Sequence, residues 1–287
     1  MSTKDPKIVL LQSLPFIQKR GLKRITKLSG GMTNHSYLVQ TETEALICRF
    51  GPANMEVIGL DKDREIWNTN KAFGIGIGPQ VLAYYKKHNL LINTYIPGKV
   101  ITKRQGHSKK IIKEFARVLS ILHAHRNFKG IHNLGDVGDK QVLFLKKNNA
   151  LSTDLAKACT LARRLRKRTS QLVSCHVDLM RTNILVNKGN VHFIDWEYSA
   201  KSDPMVDIAA LSLELEWSAQ EEKYFLSHYP AKKPILISGL AAGKCIFALR
   251  EALWGAVQHV VVPEQSDYMG YVAKHLQIFN RLIKQVL

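Results

Sequence analysis

Three residues in the second half of the chain, Asp178, Asn183 and Asp195, are of the types that phosphoryl transfer needs. That reaction uses a carboxylate to orient or deprotonate an acceptor hydroxyl, and oxygen ligands for the Mg²⁺ that bridges nucleotide phosphates. The residues stand in Cys175-His176-Val177-Asp178-Leu179-Met180-Arg181-Thr182-Asn183 and in Ile194-Asp195-Trp196-Glu197-Tyr198. Between them, residues 184–187 and 191–194 read as short strands joined at Lys188-Gly189-Asn190, a natural hairpin turn. A hairpin returns the chain, so Asn183 before it and Asp195 after it can face one another. An Asp five residues before an Asn is by itself equally a loop cap bonding its own backbone. Its meaning depends on Asp195 and on glycines upstream.

Those glycines are in Gly30-Gly31-Met32-Thr33-Asn34, between two strand-like runs. Backbone N–H groups there can point at phosphates with no β-carbon in the way, although the same residues also make an ordinary turn. Arg49 lies on the next strand and Glu65 on the helix that follows. A cation touching phosphates, positioned by a carboxylate, has this arrangement; so does a surface ion pair.

Residues 22–28, 35–39 and 45–50 read as antiparallel strands, 58–73 as a helix, and 81–85 and 90–95 as two further strands. Pro97-Gly98 closes this β-rich lobe. Residues 108–123, 152–169, 204–217, 219–228, 234–260 and 265–286 favour helix, so the rest is mainly α. The expected class is α+β, with lobes at 1–97 and 98–287. Gly74-Ile75-Gly76-Ile77-Gly78 follows a helix and precedes a strand, the reverse of a dinucleotide fingerprint, and reads as a connecting turn.

The length of 287 residues suits one or two domains. Cys48, Cys159, Cys175 and Cys245 are too scattered for a zinc site or a dithiol motif. The first residues lack a signal-peptide pattern, and Lys244, Arg250 and Glu251 break the most apolar late stretch. A cytoplasmic chain without a membrane span is expected. The formal charge of +19 attracts polyanions, whether nucleic acid or a nucleotide. Its densest cluster, Arg163-Arg164 with Arg166-Lys167-Arg168, has no interleaved aromatics and reads as a solvated basic face. A basic nucleic-acid-binding protein would account for the charge but gives the spacing of Asp178, Asn183 and Asp195 no role. His123 and His125, at the end of a helix, read as packing or capping residues.

Taken in order, these pieces resemble the choline/ethanolamine kinase branch of the aminoglycoside phosphotransferase superfamily, which has a protein-kinase-like two-lobe fold. The resemblance covers residues 28–258 and rests on the Gly30-to-Asn34 loop, Leu46-Ile47-Cys48-Arg49-Phe50, the His176, Asp178 and Asn183 spacing, and Ile194-Asp195-Trp196-Glu197-Tyr198. It implies ATP and Mg²⁺ as cofactors, Asp178 as catalytic base, His176 steadying its loop, and Asn183 and Asp195 as metal ligands. Gly30, Gly31 and Asn34 would meet phosphates, and Arg49 and Glu65 would pair beside them. The stretch from Asn93 through Tyr95 to Ile96 matches the hinge that receives adenine. Asp207 matches an Asp that anchors the catalytic loop; a first-turn Asp favoured by the helix dipole would look the same.

For the acceptor, aromatic faces and carboxylates hold a quaternary ammonium. The candidates are Glu197, Tyr198, Glu214, Trp217 and Trp254, of which Glu197, Glu214 and Trp254 match the choline-kinase pocket. The chain departs from that pattern at Glu251, where a second Trp is usual, which suits a primary amine, a thiazolium or a larger cation. It departs again at Val177, where Asn or Gly is common, with tuning of activity expected rather than loss. The implied reaction moves the ATP γ-phosphate to a small cationic alcohol, choline or ethanolamine first, with thiamine and then an aminoglycoside as alternatives. No activation segment of usual length separates Trp196 from Asp203, which speaks against a protein substrate.

Overall fold

Alternation builds the first part of the chain. β2 (His35–Thr41) buries Tyr37, Val39 and Thr41, and β3 (Ala45–Phe50) buries Leu46, Cys48 and Phe50, the period of two that gives a strand one apolar face. With β1 (Leu22–Lys27), β4 (Val81–Tyr85) and β5 (Leu90–Thr94) they form an antiparallel sheet in the order β1-β2-β3-β5-β4. These are the strands the sequence predicts, within two residues at each end. Two short helices precede them, α1 (Pro6–Ser13) and α2 (Pro15–Gln18). Each carries its proline in the first turn, where the missing N–H costs nothing. Leu11, Leu14 and Ile17 join Tyr37, Val39, Leu46, Cys48, Leu90 and Ile92 in one core. Asp5 caps α1 and also accepts the Tyr37 hydroxyl at 2.6 Å, tying helix to sheet.

The computed structural model describes residues 5–29, 34–52, 59–132, 134–165, 172–230, 237–263 and 266–287. Gly30 and Gly31, with Arg166, Lys167 and Arg168, lie outside the described residues. Two compact units emerge, Met1–Met55 with Pro79–Pro97, and Glu56–Gly78 with Gly98–Leu287. The helix α3 (Lys62–Gly74) therefore groups with the second unit, although it precedes β4 in the chain.

The second unit holds α4 (Lys103–Gly106), α5 (Lys109–Ala124), α6 (Leu134–Lys147), α7 (Thr153–Ala162), α8 (Met205–Glu214), α9 (Ala219–His228), α10 (Ile237–Val261) and α11 (Tyr268–Ile283). On α5, Ile112, Phe115, Ala116, Leu119 and Leu122 recur at helical spacing and are buried with Ile208, Leu211 and Leu215. Two small sheets complete the unit: β6 (Lys99–Val100), β8 (Ile184–Asn187) and β9 (Asn190–Phe193) in one, β7 (Val173–Cys175) and β10 (Ala200–Ser202) in the other. The expected hairpin is β8–β9, with Ile184 opposite Phe193. The chain after α3 needs its glycines: Gly76 has φ 77°, and a β-carbon on Gly78 would stand 2.9 Å from the Trp196 indole nitrogen.

Several elements differ from expectation. The helix expected over 152–169 ends as α7 at Ala162, followed by a 3-10 turn, Arg163–Leu165. α6 has no counterpart in the sequence pattern, because Gly135 and Gly138 depress its propensity by about 1 kcal/mol each. β7 and β10 are three residues each, too short to show an alternation. No described helix is long and apolar enough to cross a membrane.

Candidate active site

The loop between β7 and β8 is held by α8, by the β8–β9 hairpin and by α10. Asp207, in the first turn of α8 and fully buried, accepts the His176 N–H at 2.9 Å and the Val177 N–H at 2.7 Å, one on each carboxylate oxygen. His123 at the end of α5 donates to Asp207 at 3.2 Å and contacts the Tyr229 hydroxyl at 2.6 Å. The role expected for Asp207 is thus visible as two backbone bonds, and His123 is its partner. His176 donates through Nε2 to the Ile194 carbonyl (2.9 Å), and its Nδ1 accepts the Asp178 N–H (3.3 Å). Its ring lies 4.5 Å from Trp196, and burial lowers its basicity, so it is a neutral bracket between the β7–β8 loop and the hairpin.

Atoms of His123, Cys175 and Asp207 gather within 4.8 Å of one another. Burial pushes the Cys175 thiol well above its ordinary value, with the Asp207 charge adding to the effect. The thiol faces the carbonyls of Ser202 and Asp203, and Asp207 is spent on the loop, so the trio is an anchor rather than a metal site.

Asp178 is bound on both oxygens. Asn183 Nδ2 donates to Oδ2 and to the Asp178 carbonyl, both at 3.0 Å, and Arg250 Nη2 donates to Oδ1 at 2.9 Å. Burial raises the Asp178 carboxyl to about 7, against the pull of Arg250 and with help from Glu251, Asp195 and Glu197. With its nitrogen committed, Asn183 presents its amide oxygen. The Ile194 N–H bonds the Asn183 carbonyl at 3.0 Å, fastening the hairpin ends where Asn183 and Asp195 sit. Asp195 takes φ 63°, a conformation Asp tolerates better than most residues. An amide oxygen and a carboxylate at one hairpin end are the hard oxygen donors that Mg²⁺ accepts alongside water and phosphate, so this pair fits the expected ion.

The acceptor candidates divide. Trp254 Nε1 donates to the Tyr198 hydroxyl at 3.0 Å, and its ring meets Tyr268 and Tyr271 edge-on at 6.0 and 5.7 Å. Glu197 is buried, and its charge bears on Asp178 and Tyr198. Glu214 accepts the Arg181 N–H at 3.0 Å, and burial raises its carboxyl, with the Glu251 charge adding. Trp217 does not join them: it bonds the Gly106 carbonyl and packs on Phe115 and Phe225 in the core. It is a core residue: the chain turns at Glu216 (φ 54°) just past α8 and lays the indole against α4, α5 and α9.

Arg250, Tyr268 and Tyr271 are absent from the sequence expectations as site residues. The available signal was a charged pair, Arg250-Glu251, inside an apolar helix. Arg250 is partly buried and donates to Glu251 (2.8 Å from Nε), to Asp178 and to the Val177 carbonyl. Burial opposes the ionised form of Glu251, yet Arg250 and the Tyr271 hydroxyl (2.5 Å) hold it below the usual carboxylate range.

The nucleotide candidates fall in both units. In the first, Arg49 is buried on β3 opposite Ser36 and Leu91, Asn34 and Asn93 are buried, and Tyr95 is half-exposed just past β5. In the second, Glu65 is buried on α3 with Lys62 at 2.6 Å, a cation absent from the sequence expectations.

A β-sheet unit, a helical unit and a loop-and-hairpin site of this kind define a kinase-like phosphotransferase fold. The crystal structure of choline kinase LicA from Streptococcus pneumoniae is similar at a TM-score of 0.84 and 23% identity, covering 98% of this chain and 99% of that one. Residues 24–233 match the model of the phosphotransferase enzyme family, and the chain belongs to that family. Protein LicA of Haemophilus influenzae is 22% identical over 70% of this chain and 61% of its own length. Ethanolamine kinase 2 of Homo sapiens is 25% identical over 71% of this chain and 58% of its own. The chain thus spans about three fifths of the length of these two relatives.

Proposed function

We propose that this chain is an ATP-dependent small-molecule kinase whose acceptor is a small cationic alcohol, choline or ethanolamine. The observation that carries the reaction is Asp178, fixed by Asn183 and Arg250 beside the hairpin that bears Asp195. A carboxylate held near neutrality by burial can accept a proton from an alcohol as the phosphoryl group departs from the nucleotide. Asn183 and Asp195 would hold Mg²⁺, whose chemistry when bound is to neutralise the phosphate charge. Asn34, Arg49, Asn93, Tyr95 and Glu65, with the Gly30-Gly31 loop, are the residues we assign to the nucleotide.

The acceptor class rests on aromatic rings and carboxylates together. Tyr198, Trp254, Tyr268 and Tyr271 form one aromatic group, and the Glu197, Glu214 and Glu251 charges act on its members or on Asp178. A cation is attracted by both. The likeness to LicA and ethanolamine kinase 2 supports the same class. Thiamine, a larger alcohol carrying a ring cation, is the next acceptor to test, since Glu251 stands where a second indole would face a quaternary ammonium.

The test is Mg-ATP turnover with choline, ethanolamine, thiamine and kanamycin, with Asp178→Asn beside wild type. The variant should lose about 10³-fold in kcat while Mg-ATP affinity stays within about threefold. A variant with near-normal kcat overturns the assignment of Asp178.

A further inference from the structure

Arg250 belongs to neither the nucleotide nor the metal machinery, yet it makes more bonds to the catalytic loop than any acceptor residue. Its side chain, 11% exposed, comes from the middle of α10. Nη2 reaches Asp178 Oδ1 at 2.9 Å, Nη1 reaches the Val177 carbonyl, and Nε and Nη2 both reach Glu251 Oε1. Glu251 is held in turn by the Tyr271 hydroxyl of α11.

Such a clamp has a job at this point of the chain. Val177 is a β-branched residue at φ 74°, where valine is strained, and its side chain is fully buried with Cys175 and Val206. Strain of this kind persists only where the surroundings over-determine the backbone. Asp207 grips the N–H side of Val177 from α8, and Arg250 grips the carbonyl side from α10. The same guanidinium then fixes the next residue's carboxylate. A planar fork can bond a carbonyl and a carboxylate at once, which an ammonium on a flexible stem cannot do with equal geometry. Asn183 occupies Oδ2, so Arg250 is the group that sets how Oδ1 is aimed.

We propose that Arg250 is a positioning residue for phosphoryl transfer, a guanidinium clamp on α10 that fixes the Val177 carbonyl and aims the Asp178 carboxylate, with Glu251 and Tyr271 locking the clamp. The proposal rests on Asp178 being the catalytic carboxylate. It makes α10 and α11 part of the catalytic geometry as well as the acceptor surface, and it gives Glu251 a function that a tryptophan there could not serve.

The experiment compares wild type, Asp178→Asn, Arg250→Ala, Arg250→Lys and Arg250→Ala/Glu251→Gln, using whichever of choline, ethanolamine, thiamine and kanamycin wild type phosphorylates. The double variant removes the carboxylate that Arg250→Ala leaves buried and unpaired, and thermal melts report folding. Arg250→Ala should lower kcat about 10²-fold, the effect of a misaimed catalytic group, with KM for Mg-ATP within about twofold. Guanidinium chloride, at concentrations far below denaturing ones, should restore part of that kcat, and ammonium chloride should not. Arg250→Lys, which keeps the charge without the fork, should remain impaired. A folded Arg250→Ala or double variant with wild-type kcat overturns the proposal. So does loss of kcat with an equal rise in KM for Mg-ATP and no rescue, the mark of a general structural defect. If both alanine variants fail to fold, a wild-type kcat in Arg250→Lys still overturns it, and an impaired kcat with unchanged Mg-ATP KM supports it. Should Asp178→Asn keep its activity, or wild type turn over none of choline, ethanolamine, thiamine and kanamycin, the kinase reading fails first and the clamp falls with it.

Discussion

At the residue scale the loop between β7 and β8 gathers unusual backbone and burial into two consecutive positions. Val177 stands at φ 74° and Asp178 carries a carboxyl raised to about 7 by burial. The departure from Asn or Gly at position 177 is therefore a backbone matter. The Val177 side chain turns into an apolar cluster, while its φ is one that glycine adopts without strain. Substitution should reveal this through an inverted order. Val177→Gly is expected to be more stable than Val177→Ala by about 1 kcal/mol, the reverse of the order at ordinary positions. Urea unfolding of the two variants measures it, and alanine as the better residue would mean that the positive φ is not adopted in solution.

At the element scale the loop is positioned by helices that are far from it in sequence. α8 supplies Asp207, α5 supplies His123 behind it, and α10 supplies Arg250. Asp207 satisfies two buried N–H groups with two oxygens, and an amide in its place has one acceptor oxygen. Asp207→Asn should then leave one N–H unpaired beside a misplaced His123, at a cost of about 3 kcal/mol. The urea midpoint should fall accordingly, and kcat with it. An unchanged midpoint would show that the α8 anchor is dispensable.

At the scale of the whole molecule, burial of neutral imidazoles sets how the protein answers acid. Burial lowers His132 to about 3, with the Arg250 and Arg64 charges contributing, and lowers His275 to about 4 despite the nearby Glu251. Both lie under one tenth exposed, and neither His275 nitrogen has a hydrogen-bond partner among the described residues. The unfolded chain binds protons at these positions below pH ~6.5 while the folded chain does not, so stability is full above that pH and falls as pH drops toward the folded values. Each residue should cost about 2 kcal/mol at pH 5 relative to pH 7. Urea midpoints across that range measure the slope, and His275→Phe should remove a large share of it. A flat profile would place both rings in contact with solvent.

Much of this protein was legible from its residues alone. The five-strand sheet, the β8–β9 hairpin and the main helices follow from local periodicity, which depends only on neighbours along the chain. Asp178, Asn183 and Asp195 were legible because they lie within one loop and one hairpin, so their spacing in sequence nearly sets their spacing in space. Trp217 and Arg250 were not. Whether a tryptophan meets a core or an acceptor, and whether an arginine inside an apolar helix meets a carboxylate, depends on which faces α8, α10 and α11 turn toward the catalytic loop. That choice is made by long-range burial, where apolar area and the pairing of buried charge are satisfied together, and no stretch of sequence contains both partners.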